Sequence, residues 1–202
     1  MGLPKNPSLA IAPERMKTEE NARVAFGQGD VQAFECLCTP HLDLLYTLAL
    51  RITGNPSIAE DVAQETLVRA LSRCHQYDPK RPFRPWLLRI ATNLSRDRIR
   101  TVWWKRIAGL NSDIVSSVPS AEVVIDATER DRRVRQALLA LPIKYREALS
   151  LYHLEDISYA EMSEVTGASV SALKQRVRRG QLMLRQKLEK LYPDEFVSRS
   201  EG

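Results

Sequence analysis

Between Ser169 and Arg185 the chain carries side chains suited to reading base-pair edges. Ser171, Lys174, Gln175, Arg178 and Arg185 recur at helical spacing on one side, and Val170, Leu173, Val177, Gly180, Leu184 and Leu188 trace an apolar or small stripe on the other. Arg and Lys can donate to guanine, Gln can pair with adenine, and the remaining cations can neutralise phosphates. Such a face works only on a helix whose entry angle is fixed. Ser169 is a suitable amino-terminal cap, and in Thr166-Gly167-Ala168 the glycine can take the left-handed conformation that stops the preceding helix. The stretch from Ser158 to Leu188 therefore reads as a helix-turn-helix.

A second cationic block lies upstream. Residues 79–106 hold nine Lys/Arg against one Asp, and residues 169–190 hold seven against one Glu. These blocks carry +8 and +6 of a net charge of only +5, so the remainder of the chain is acidic at −9. Two basic islands in an acidic chain suit a polyanion gripped at two places, leaving other surfaces for a different partner. In the upstream block the proline-studded loop HQYDPKRPFRP (75–85) leads into a helical pattern with Trp86, Leu87, Ile90, Leu94 and Ile99 or Val102 inward. Asn93, Arg96, Asp97 and Arg100 share the outer side. Tyr77, Lys80, Arg81 and Phe83 beside this helix could hold an extruded base by stacking and phosphate pairing, although Phe83 and Trp86 also suit a core, and for Trp86 the core is the expectation.

Further upstream, Ser57 and Glu60 make a capping-box pair that opens a helix with Val62, Leu67 and Leu71 inward. Its outer face carries Glu60, Asp61, Gln64 and Glu65, which on the residues alone reads as solvent surface ahead of a protein-docking surface. A Gly54-Asn55-Pro56 break precedes it, and the amino-terminal helical pattern starts at Glu19. Residues 107–127 lose periodicity and read as a slightly acidic linker.

At 202 residues with 6% aromatic content, the chain suits two small helical domains better than a sheet. Its three cysteines lack CxxC spacing, which fits a reducing compartment, and Cys36-x-Cys38-x2-His41 reads as thiols in a core and not as a zinc site. No segment resembles a signal peptide or membrane span, so a cytoplasmic location is expected. Gly-rich phosphate loops, HExxH and triad ordering are missing from the sequence, which argues against an enzyme.

Three motifs in order, GNPSIAEDVAQETLVR (54–69), PFRPWLLRIATNLSRDRIR (82–100) and LPIKYREALSLYHLEDISYAEMSEVTGASVSALKQRVRRG (141–180), resemble bacterial RNA polymerase sigma factors of the sigma-70 family, extracytoplasmic-function (ECF) group. The resemblance runs from about Glu19 to Leu191. It implies an all-α fold of two small helical domains: a tail (1–17), region two (18–106), a linker (107–127), region four (128–192) and a second tail (193–202). By the same resemblance Asp61, Gln64 and Glu65 dock on core RNA polymerase, reversing the solvent reading of that face. Tyr77, Asp78, Lys80, Arg81 and Phe83 lie in the loop that captures a flipped base of the minus-ten element, with Asn93, Arg96, Asp97 and Arg100 on the adjoining helix. Ser169, Ser171, Ala172, Lys174, Gln175, Arg178 and Arg179 match the minus-thirty-five recognition helix. The implied partners are core polymerase, promoter DNA and an anti-sigma factor; no cofactor and no metal is expected. Departures from the family pattern are Met162-Ser163 in place of Ile-Ala, Gly180 in place of Ala, and the density of Pro79, Pro82 and Pro85. The competing reading is a stand-alone helix-turn-helix regulator, which leaves the acidic helix and the first basic block without a task.

Overall fold

The computed structural model describes residues 13–107, 129–154 and 157–193, and among them every regular element is helical. The linker expected over 107–127 lies, past Ile107, outside the described residues, as do the first twelve residues and those after Pro193.

The amino-terminal module contains α1 (Pro13–Gly27), α2 (Val31–Cys38), α3 (Leu42–Thr53), α4 (Pro56–Ser72) and α5 (Phe83–Ile107). Helix α1 starts at Pro13, ahead of the Glu19 expected from periodicity; proline suits a first helical position, where its missing N–H is not needed. Asp30 caps α2 through the Ala33 amide at 3.0 Å. The start of α4 is not the expected Ser57 box: Asn55 is the cap, accepting from the Ile58 amide at 3.0 Å, with Pro56 at the first helical position. Asparagine caps as well as serine, and the proline fixes the register two residues earlier. Consequently Ala59, Val62, Thr66 and Ala70 are the buried line of α4, while Leu67 and Leu71 are only partly covered.

The carboxyl-terminal module contains α6 (Glu129–Leu139), α7 (Ile143–Tyr152), α8 (Tyr159–Thr166) and α9 (Val170–Leu191). Two modules were expected; that they share one continuous apolar cluster was not. Leu45, Leu48, Ile52, Leu87 and Leu88 of the first join Leu141, Leu149, Leu151, Met162 and Leu173 of the second. Polar clasps close the seam. The Arg146 guanidinium donates to the Ile52 carbonyl across it at 2.8 Å, and to the Leu139 and Leu141 carbonyls within its own module. Arg51 donates to the His153 carbonyl at 3.1 Å. Gly54, left-handed at φ 75°, lies under Leu139, whose methyl carbons would be 2.6 Å from an added Cβ. Any side chain there would be strained twice, by its backbone and by the neighbouring module.

Candidate nucleic-acid interface and polymerase-docking helix

The helix-turn-helix is built as its sequence suggests. Ser158 and Glu161 form a reciprocal capping box at the start of α8, with amide-to-side-chain bonds of 2.8 and 3.2 Å. Gly167 ends α8 at φ 72°, and the Ser163 hydroxyl donates to the Ala168 carbonyl at 2.7 Å, tying down the turn. Ser169 then caps α9 through the Ala172 amide at 3.2 Å. Two of the three departures named above, Met162-Ser163 and Gly180, fall in this region and have a structural reason. Met162 is fully buried beneath the turn while Ser163 stabilises it. At Gly180 an added Cβ would sit 3.0 Å from Leu149 Cγ, so the close approach of α9 to α7 favours the absence of a side chain.

Leu173, Val177 and Gly180 face inward, which leaves Ser169, Ser171, Lys174, Gln175, Arg178 and Arg179 exposed and Ala172 partly so. Val170, expected inward, is exposed at the first turn. Lys174 lies over the Tyr159 ring at 5.8 Å. Arg178 and Arg179 make no ion pair among the described residues, so their donors are available to a ligand.

The upstream loop rests on an aromatic cluster. The Phe26 ring lies 5.4–5.8 Å from those of Phe34, Tyr77, Phe83 and Trp86. Tyr77 is 5% exposed and Phe83 2%, which corrects the expectation that these two rings face an incoming base: a chain with few aromatics has used them to build the floor of the loop. The Tyr77 hydroxyl donates to the Arg81 carbonyl, which also accepts from Arg23 at 3.1 Å, and burial pushes the phenol up to about 12. The loop is closed by the Lys80 amide donating to Asp78 at 3.0 Å. Asp78, Lys80 and Arg81 are exposed above this floor.

Asn93, Asp97 and Arg100 are exposed along α5, Asp97 and Arg100 paired at 3.0 Å. Arg96 is different. Its guanidinium makes a two-pronged bond to Glu147 of α7, at 2.8 and 2.9 Å, and also donates to Asn93 at 3.3 Å. Glu147 is 4% exposed, so the pair is sealed on the α7 side. Arg96 thus joins the two modules in this arrangement and does not stand free beside Asn93, because a buried carboxylate needs a cation within reach. Alongside, a 300 Å³ crevice runs between Arg81, Trp86 and Arg89 on one side and Ser163, Glu164 and Gly167 on the other. The helix-turn-helix is therefore seated against the loop.

On α4, Asp61 and Gln64 are exposed and Glu65, partly so, pairs with Arg69 at 2.7 Å. Val68, which the sequence reading missed, extends this face at 64% exposure. The available signal was its position seven residues after Asp61, which returns it to the same side of the helix. Cys36 is exposed, against the expectation of a core thiol, while Cys38 is buried and its thiol pushed up to about 12.

Residues 37–105 match the family Sigma-70 region 2, and residues 131–194 match Sigma-70, region 4. The ECF RNA polymerase sigma factor SigW of Bacillus subtilis (strain 168) is 34% identical over 174 residues, spanning 81% of this chain and 93% of its own length. The structure of CnrH in complex with the cytosolic domain of CnrY is similar at a TM-score of 0.64 and 29% identity, over 86% of this chain and 98% of that one. Sigma factor RpoE, solved with the anti-sigma factor NepR from Bartonella quintana, shares the fold at a TM-score of 0.63 and 22% identity, over 79% and 98% of the two chains. Because both matched regions occur in one chain, in order, with a relative aligned over nearly its whole length, the chain belongs to the ECF RNA polymerase sigma factors.

Proposed function

We propose that promoter recognition by this sigma factor is divided among three faces. Ser169, Ser171, Ala172, Lys174, Gln175, Arg178 and Arg179 on α9 read the minus-thirty-five element in duplex form. Asp78, Lys80 and Arg81 of the loop, with Asn93, Asp97 and Arg100 of α5, engage the opened minus-ten strand. Asp61, Gln64 and Glu65, with Val68, dock on core polymerase. The observation that carries this reading is the outward, unpaired cationic and amide face of a capped helix α9. The chain contributes binding and strand capture and no chemical step of its own, and it acts in the cytoplasm on a stress- or signal-responsive set of promoters. No described helix is long and apolar enough to cross a membrane.

Promoter elements centred at minus ten and minus thirty-five lie about 25 base pairs apart, or roughly 85 Å at ~3.4 Å per pair. A packed chain of this length is only about 40 Å across. The two modules cannot reach both elements while clasped, so the Arg96–Glu147 pair and the Arg146–Ile52 and Arg51–His153 bonds must open when the polymerase holoenzyme engages DNA. Arg96 becomes free for the minus-ten strand in the same step. The closed arrangement also presents a surface that an anti-sigma factor could stabilise; CnrH, similar over most of its length, was solved with a partner domain. Run-off transcription with core polymerase over a promoter library tests the whole reading. The expected result is initiation at a defined class of promoters, lost on Asp61→Ala/Gln64→Ala; unaltered initiation on adding the chain would overturn it. A stand-alone regulator, in contrast, would bind duplex DNA tightly without core polymerase.

A further inference from the structure

Helix α5 continues past Arg100 to Ile107 and carries, near its end, Trp103 and Trp104, 53% and 58% exposed. The chain has only three tryptophans, and a scattered apolar side chain on a surface needs no explanation, but two adjacent large rings do. They sit edge to face, centroids 4.9 Å apart, and form a step in which each residue is more than half exposed.

Their position on the helix is informative. At about 100° per residue, Asn93, Asp97, Arg100 and Trp104 fall within an arc of roughly 60°. Trp103 follows Arg96 at seven residues, on the adjoining line. The indoles thus extend, by one turn, the same face that carries the minus-ten assignments. From Asn93 to Trp104 this face is roughly 16 Å long, the length of four to five stacked nucleotides at ~3.4 Å each. Exposed Arg100, one turn before Trp104, lies beside the rings in a block of net charge +8. An apolar protein partner would find this charge costly to cover; a single strand, with a base face and a phosphate at every step, matches both features.

We infer that Trp103 and Trp104 form a stacking platform for unpaired nucleic acid, which lengthens the strand-binding face of α5 beyond Arg100. This rests on the assignment of that face to an opened strand. The test is the anisotropy of a labelled mixed-sequence DNA strand of about 20 nucleotides, and of its duplex, titrated with the full chain at low salt. Trp103→Ala/Trp104→Ala should weaken single-strand binding by roughly tenfold or more while leaving duplex binding and core polymerase association unchanged, and Trp103→Phe/Trp104→Phe should retain most of the affinity. Lys80→Ala/Arg81→Ala serves as the control for the underlying reading. If the control loses affinity and the alanine pair does not, the platform is disproved and the face assignment stands. If neither loses affinity, both fall. If the alanine pair instead loses core polymerase, the rings are a protein-docking surface and the inference is wrong.

Discussion

Helices α5 and α9 carry similar cationic charge in sequence and stand in different circumstances in the fold. On α9, Lys174, Gln175, Arg178 and Arg179 all face solvent. On α5, Arg96 is held by a nearly buried glutamate from the other module, and the adjoining loop faces α8 across a narrow crevice. One cationic surface is open to solvent, whereas the other is partly engaged inside the protein. A run of positive charge identifies an anion-binding surface, but not whether the protein already supplies the anion. On the proposed division of faces, that difference makes opening a separate step, placed before strand capture and after duplex recognition becomes possible.

The comparison can be broken in several places. Arg146→Ala removes the donors for three carbonyls, one of them across the seam, and should cost roughly 3 kcal/mol of stability. Urea unfolding would show a lowered midpoint, and an unchanged midpoint would mean the clasp is decorative. Arg178→Ala should weaken duplex readout by the holoenzyme by roughly 1–3 kcal/mol, selectively at one promoter position, with no change in module packing. A uniform loss over all sequences would instead make Arg178 a phosphate contact. Glu147→Gln keeps the shape of the pair but removes its charge, and should weaken closure by about 1–2 kcal/mol. Free chain carrying this change should bind promoter DNA more readily than the unaltered chain; equal binding would show that Arg96 was never the obstacle.

A weaker effect is expected from pH. His41 and His153 line a crevice of 530 Å³ with Arg51, Arg84 and Asp43. Burial, then Arg84 for His41 and Arg51 for His153, holds both imidazoles below the usual histidine value; Glu19 acts on His41 in the opposite sense. Groups that lose affinity for protons on folding contribute stability that is fully present above their unfolded value of about 6.5 and is lost as pH falls from there through the lower folded value. The clasped state should therefore unfold at lower urea at pH 5.5 than at pH 7.5, and His153→Asn should reduce the difference. The smallest effect is at Gly180→Ala, where about 1 kcal/mol of helix propensity is set against the tight approach of Leu149. A thermal midpoint moved by no more than a few degrees would agree with this balance, and a large loss would mean that α7 cannot give way.

The helix-turn-helix was legible in the sequence because its signals are local. A serine cap, a left-handed glycine and a three-and-four residue apolar period all act within a few turns. The outer face of α4 was also legible, although its cap was misplaced by two residues because Asn55-Pro56 competes with Ser57 on equal terms. What could not be read was anything decided by packing between distant segments, within a module or across the seam. Tyr77 and Phe83 look like stacking residues until α1 brings Phe26 beneath them. Arg96 looks free until α7 brings Glu147 alongside, and Gly54 looks like a simple helix stop until Leu139 lies over it. These contacts link residues between about 50 and 85 positions apart, beyond the reach of periodicity or capping rules.

The central claim is that the modules are clasped in the free chain and parted on a promoter. Cys36 is already exposed on α2, Cys38 and Cys74 are buried, and Gln181 on α9 is exposed, so Gln181→Cys gives a second labelling site on the other module. Single-molecule energy transfer between the two labels should be high in the free chain and should fall sharply when the holoenzyme binds a promoter chosen by run-off transcription. The same transfer efficiency in both states would contradict the account.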